Sequence, residues 1–237
     1  VAVANPIIVA LDLPSAERAV TLAKQVAPYV GAFKIGLGLL HGPGPGTIDV
    51  LARLGRPVFA DAKLHDIPSQ VERAAERLAE HGARWVTTHI SGGHTMLEAA
   101  VSGVAKGSGA SACGILGVSV LTSLNASDLQ RLGIQRSPGQ LVGKMAKVAL
   151  SAGCEGIVCS PDELNVVNQT APDLLRVTPG IRPVATDDDQ SRVATPMTAI
   201  ERGASMLVIG RPITGAKDPA RAAEAILADI IGHGPVS

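Results

Sequence analysis

The chain has 237 residues, of which 46% are hydrophobic, 18% charged and only 2% aromatic. A length of this order suits one large core, built on Ala, Val, Ile and Leu rather than on rings, which is the composition of buried parallel strands. Lys plus Arg and Asp plus Glu both number 21, giving a formal net charge of zero, which argues against nucleic acid or an anionic membrane surface as a partner.

Short apolar runs rich in Val and Ile recur along the chain: "PIIVALDL" at 6–13, "AFKIGL" at 32–37, "PVFADAK" at 57–63, "RWVTTHI" at 84–90, "GILGVSVL" at 114–121, "EGIVCS" at 155–160, "LLRVTPG" at 174–180 and "SMLVIG" at 205–210. Between them lie Ala- and Glu-rich segments with helical spacing, such as "SAERAVTLAKQVA", "QVERAAERLAEHG", "GQLVGKMAKVALSAG" and "DPARAAEAILADI". Ser15 is placed to open the first helix, Asp218 with Pro219 to open the last, and Gly82 and Gly153 follow two others. Strand and helix therefore alternate as βα units, and eight of them in this length predict a single-domain (β/α)8 TIM barrel spanning residues 1–237. An open doubly wound sheet is the structural rival. The irregular segments 122–136 and 181–194 follow the fifth and seventh strands, on the face where barrels build their active sites, and are candidate lids.

No apolar stretch approaches the ~20 residues of a spanning helix, and no secretory leader pattern is evident. Cys113, Cys154 and Cys159 have no zinc-type spacing, and their odd number is a poor disulfide framework. They read as reduced, mostly buried small hydrophobes, in a cytoplasmic protein.

Within "FADAKLHDIPSQV", 59–71, two carboxylates and an ammonium crowd the end of an apolar run. Strand alternation sends Asp61 and Lys63 to the same side, into the barrel mouth, with Ala62 opposite. Asp12 ends the first run and Lys34 lies inside the second, so neighbouring strands bring another acid and another base to the same space. A self-satisfied ion-pair network is the bland reading. Buried charges are expensive even when paired, however, and charges from three strand ends on the active face are better explained by function. An ammonium flanked by carboxylates is kept charged, which suits a general acid rather than a nucleophile. A carboxylate pressed against a substrate carboxylate would destabilise the ground state, and the adjacent ammonium would stabilise the negative charge left when CO2 departs. This favours proton delivery to a carbanion over Schiff-base chemistry and leaves the substrate unnamed.

"VIGRPIT", 208–214, places Gly210 and Arg211 directly after the eighth strand, where barrels often bind phosphate through backbone N–H groups at a helix start and a completing cation. Gly210 permits close approach and Arg211 a two-pronged contact. "TPGIRP", 178–183, offers another Gly and Arg182 after the seventh strand. The expectation is a phosphorylated small molecule with its reactive end at Lys63.

With these motifs together, the chain resembles the orotidine 5'-phosphate decarboxylase family, which carries out the last step of de novo UMP synthesis. "DAKLHDIP" fits the family's Asp-x-Lys-x-x-Asp-Ile-Pro signature, and "IIVALD", "FKIG", "HISGG", "VLTS", "VTPGIRP", "DDDQSRVATP" and "VIGRPIT" fit in order, over about residues 7 to 225. The resemblance implies a (β/α)8 barrel, a homodimer with active sites at the subunit interface, and no metal or organic cofactor. It implies that Lys63 protonates C6 after carboxylate loss, with Asp61 against the leaving carboxylate. Lys34 would hold the charge network and contact ribose, Asp12 would bind a ribose hydroxyl, and Asp66 would cross to the neighbouring site. Thr122 would lie near the pyrimidine, Gln190 would close over phosphate, Gly210 and Arg211 would grip it, and Arg182 is a ligand-binding position. Many relatives carry Thr where this chain has Gln70; its longer arm can still donate a hydrogen bond, so activity is expected to survive.

His65 falls off the strand parity and reads as packing or support, and His89, before "SGG", reads as a structural hydrogen-bonding group. No His-x-x-x-His or carboxylate–His set suggests a catalytic metal. Three rivals stay open: a Mg2+-dependent 3-keto-L-gulonate 6-phosphate decarboxylase, which shares the Asp-x-Lys-x-x-Asp pattern; a Schiff-base aldolase acting through Lys63 or Lys34; and a catalytically silent nucleotide-binding protein.

Overall fold

The structure, a computed structural model, describes residues 5–109, 112–182 and 194–232. Within them the strands are β1 (Ile7–Ala10), β2 (Ala32–Ile35), β3 (Val58–Leu64), β4 (Trp85–His89), β5 (Gly114–Val118), β6 (Gly156–Val158), β7 (Leu175–Thr178) and β8 (Met206–Ile209). All pairings are parallel and β8 returns to β1, so the sheet closes as a barrel in sequence order. Seven of the eight apolar runs read from the sequence contain one of these strands and the third, 57–63, falls one residue short of the end of β3; the open-sheet rival is excluded by the β1–β8 ladder.

The helices are α1 (Ala16–Val26), α2 (Leu37–His41), α3 (Gly46–Ala52), α4 (Pro68–Glu80), α5 (His94–Gly107), α6 (Ala126–Arg131), α7 (Pro138–Ser151), α8 (Leu164–Thr170), α9 (Pro196–Glu201), α10 (Arg211–Thr214) and α11 (Pro219–Gly232). Their ends follow local chemistry. Ser15 accepts the Arg18 N–H at the start of α1, and Asp218 accepts the Arg221 N–H at the start of α11. Gly82 and Gly153, after α4 and α7, have φ of 86° and 81°, the left-handed conformation that ends a helix without a Cβ penalty. The segment 122–136, expected to be irregular, holds α6, whose cap Asn125 and third residue Asp128 form a reciprocal capping box. Little apolar periodicity fits into six residues, which is why the cap and not the pattern carried the signal.

Two cores result from strand alternation. Ile8, Ala32, Phe59, Trp85, Leu116, Val177 and Met206 point inward and fill the barrel. The alternate residues, Ile7, Val9, Phe33, Ile35, Val86, Ile115 and Leu207, face outward and pack beneath the helices. The chain's two Phe residues thus divide between the layers, and its single Trp plugs the interior. On α4, Val71, Ala75, Leu78 and Ala79 recur at helical spacing and form its buried face. This closed apolar plug leaves polar residues room only where the strands end.

Candidate active site

A cavity of about 490 Å³ opens at the C-terminal ends of the strands. Of the residues singled out in the sequence, Asp12, Lys34, Asp61, Lys63, Thr122, Arg182, Gly210 and Arg211 line it. Asp66 does not: it is exposed, and its Oδ1 accepts the Ile67 N–H at 2.7 Å. Gln190 lies outside the described residues.

The charges form an alternating line. Lys34 Nζ lies 3.0 Å and 3.2 Å from the two carboxylate oxygens of Asp12 and 3.5 Å from Asp61 Oδ2, while Lys63 Nζ lies 2.6 Å from that same Oδ2. Asp12 is the exposed end, and in the middle Lys34 is buried and Asp61 partly buried, with 8% and 13% of their side chains accessible. Burial by itself would raise the pKa of Asp61. The ammoniums of Lys34 and Lys63 and hydrogen bonds from Lys63 and Thr87 outweigh it and hold the carboxyl below its ordinary value near 3.8. Asp61 is therefore an anion at neutral pH, buried yet attached to two cations. Gly36, just after β2, keeps this line open, because a Cβ there would lie 2.7 Å from Asp12 Oδ1.

Asp61 and Lys63 meet as expected, but not by simple alternation. From Ala60, paired with Val86, to Leu64, paired with Thr88, β3 takes four residue steps against two on β4. The extra residues bulge, and Lys63 has φ of 47°, making it the one non-glycine residue with positive φ among the described residues. Such a conformation costs a lysine on the order of 1–3 kcal/mol and persists only when its surroundings hold it. Parity reasoning reached the right neighbours because the bulge inserts an even number of residues and so leaves Leu64 outward-facing beneath the helices.

The holding group is Thr87, which the sequence reading passed over. Its Oγ1 accepts the Lys63 backbone N–H at 2.8 Å and donates to Asp61 Oδ1 at 3.0 Å, and the residue is fully buried. A signal was present: in "WVTTH", alternation puts Thr87 on the inward face between Trp85 and His89, where a hydroxyl needs polar partners. His89 itself is partly buried beside the exposed His65, with ring centroids 5.4 Å apart. Burial first, then His65 and Lys63, lower its pKa against the opposing pull of Asp61.

In the same cavity, Arg211 begins α10, and Arg182, only 8% exposed, follows β7. Part of the backbone around the expected phosphate cradle is already engaged. Pro212 has no N–H, and the N–H groups of Ile213 and Thr214 are donated to the Gly210 carbonyl at 2.9 Å and 3.0 Å. Arg182 and Arg211 bring two cationic side chains to this end. Gly180, with φ of 78°, turns the chain between β7 and Arg182. Apolar Val118, Val158 and Val208 floor the space between the two charged ends. Among the described residues, no three His, Cys, Asp or Glu side chains are grouped to hold a metal ion.

The model of a family described as "Orotidine 5'-phosphate decarboxylase / HUMPS family" matches residues 5–226. The chain belongs to this family. Among similar curated proteins named orotidine 5'-phosphate decarboxylase, one from Anaeromyxobacter sp. (strain K) is 47% identical over 223 residues, covering 93% of this chain and 96% of that protein. One from Moorella thermoacetica is 43% identical, covering 95% and 92%. A crystal structure of orotidine 5'-phosphate decarboxylase from Lactobacillus acidophilus superposes with a TM-score of 0.84 at 36% identity, covering 94% of this chain and 97% of that one. The family's barrel is thus present at nearly full length, with the charge line and the two arginines lining one pocket.

Proposed function

We propose that the chain decarboxylates orotidine 5'-phosphate to UMP and CO2, with the phosphate at Arg211 and the pyrimidine at the charge line. Family membership supports the reaction. The observation that carries the site assignment is the 2.6 Å contact between Lys63 Nζ and a largely buried, ionised Asp61 in a cavity that Arg182 and Arg211 also line. In this reading the substrate carboxylate lies against Asp61, so two like charges are pressed together in a partly dehydrated space and the ground state rises. The C6–carboxylate bond breaks with its electron pair left on C6, the ammonium of Lys63 stabilises that pair, and a proton passes from Nζ to C6. Solvent later returns a proton to the lysine. Lys34 holds Asp61 and Asp12 in line and, with Asp12, meets the ribose hydroxyls; Thr122 faces the base; Arg182 and Gly210 complete the ligand pocket.

The direct test follows the loss of pyrimidine absorbance of orotidine 5'-phosphate with a chelator present. Turnover is expected, and a folded but inactive protein would overturn the assignment. Loss of turnover on adding EDTA would instead point to a Mg2+-dependent sugar-phosphate decarboxylase, and borohydride trapping at Lys63 or Lys34 to an aldolase.

The working form in this proposal is a cytoplasmic homodimer. Residues 65–70 are all exposed, Ile67 is 61% accessible, and Leu37 and Leu121 add exposed apolar area. Asp66, turned away from its own pocket, is then available to complete a partner's, with Gln70 beside it. Mixing Lys63→Ala with Asp66→Asn subunits should restore part of the turnover that each lacks alone; no recovery after subunit exchange would sink the shared-site arrangement. The three cysteines are free, two of them buried, and burial pushes the thiols of Cys113 and Cys154 up to about 12. No helix of the described residues is long and apolar enough to cross a membrane. The free cysteines suit a reducing compartment, and fractionation of the producing cell would check it.

A further inference from the structure

We infer that Thr87 is a positioning residue for decarboxylation: its single hydroxyl sets both the rotation of the Asp61 carboxylate and the bulged backbone that aims Lys63. This rests on the function proposed above.

Three observations meet at this side chain. The first is its bonding. An ionised carboxylate can only accept, so the Thr87 proton must point at Asp61 Oδ1, and the Oγ1 lone pairs are left for the Lys63 N–H. The second is the division of labour on Asp61. With Oδ1 tied to Thr87, Oδ2 is the oxygen that meets both ammoniums, Lys63 at 2.6 Å and Lys34 at 3.5 Å. Rotation of the carboxylate would break that arrangement. The third is the backbone. The Lys63 N–H lies inside the interval where β3 and β4 slip register, so no regular ladder bond is available to it, and its left-handed φ depends on a partner from outside the ladder.

Thr87 does not line the cavity and is fully buried. It therefore acts on the reaction through Asp61 and Lys63 and does not touch the substrate. Thr88, next to it, shows the contrast: it faces the other side of the strand, and its hydroxyl has no hydrogen-bond partner among the described residues. The position on the inward face is what gives Thr87 its role.

The test is a series at position 87 that keeps volume while grading the hydrogen bond. Thr87→Val removes the hydroxyl and should lower kcat by about 10- to 100-fold, the effect of misplacing a reacting group by a fraction of an ångström to an ångström. KM should move less than about threefold, because the phosphate and ribose contacts are untouched. Thr87→Ser restores the hydroxyl and should recover kcat to within about threefold of the parent, although it loses the buried methyl. Thr87→Cys, a weaker donor and acceptor, should fall between, and it takes the place of the valine variant if that fails to fold. A purely structural role would give the opposite order, with Val nearer to the parent than Ser in both melting temperature and kcat. Crystal structures of the parent and the Val or Cys variant give a readout independent of turnover. The expected result is that Lys63 leaves positive φ or that its Nζ moves beyond 4 Å from Asp61. An unchanged Lys63 and Asp61 in the variant, or unchanged kcat, would overturn the inference. A parent protein with no decarboxylase activity would overturn the function, while the crystallographic comparison would still decide the positioning.

Discussion

The barrel carries ion pairs at both ends, and they are built differently. At the N-terminal end, Arg84 precedes β4 and Glu155 precedes β6, and they join across the start of β5 by a two-pronged contact, 2.7 Å and 2.6 Å. Trp85 Nε1 donates to the same carboxylate at 3.1 Å, and the guanidinium sits 4.6 Å from the Trp85 ring centroid. Gly114 makes room between them, since a Cβ there would lie 1.8 Å from Glu155 Oε2. At the C-terminal end, Asp12, Lys34, Asp61 and Lys63 touch in single-file contacts, with a strained backbone at Lys63 and an open cavity in front. Both sets use a glycine to admit a carboxylate. The lower set lies apart from the cavity, at the starts of the strands; the upper set lines the cavity at the strand ends. Access to that cavity is what separates a structural ion pair from a chemical one here.

That contrast can be broken at its strongest point first. Lys63→Ala should reduce turnover by about 10³-fold or more, the scale of a lost general acid, while UMP binding stays measurable by calorimetry; turnover near that of the parent would remove the lysine from the reaction. Arg211→Ala should weaken UMP binding by about 10- to 100-fold, as expected for a lost charge-assisted contact, with the melting temperature little changed. Unaltered UMP affinity would place the phosphate elsewhere. Glu155→Gln should do the reverse: cost about 1–2 kcal/mol of stability, a loss of a few degrees in Tm by differential scanning calorimetry, and leave kcat/KM within about twofold. A large loss of activity without loss of stability would erase the distinction between the two ends.

The smallest effect is a pH effect. Because Asp61 is held below its ordinary value near 3.8, its contribution to stability is present above the unfolded-state pKa and is lost as pH falls through the lower folded-state one. Lys63→Met removes one of the two cations that depress it, so the acid limb of the stability curve should move upward in pH. Chemical denaturation across the acid range would check the direction; a limb that stays in place would mean that Lys34 and Thr87 alone hold the carboxylate.

Much of this was legible in the chain. The short Val- and Ile-rich apolar runs marked the strands, and Ser15, Asp218, Gly82 and Gly153 marked helix ends because caps act within one turn. The site residues were visible as charges at strand ends, where an apolar plug leaves few other reasons for them. Thr87 was missed because a threonine in a strand is ordinary by propensity, and only the register slip beside it makes its hydroxyl decisive. Gly36 was missed because its importance lies in the space beside another strand's carboxylate. At α10 the local bonding was not visible in the sequence: Pro212 has no N–H, and the Gly210 carbonyl accepts those of Ile213 and Thr214.

The sequence by itself determined the alternation of strand and helix, the layer of inward apolar residues and the set of charged groups, since periodicity and residue type are local properties. Only the tertiary structure decided that Asp61 and Lys63 meet through a bulge, that Thr87 fastens both, and that Asp66 turns away from its own cavity. Those facts depend on the register between β3 and β4 and on closure of the barrel, which join residues far apart in the chain and leave no periodic trace in it.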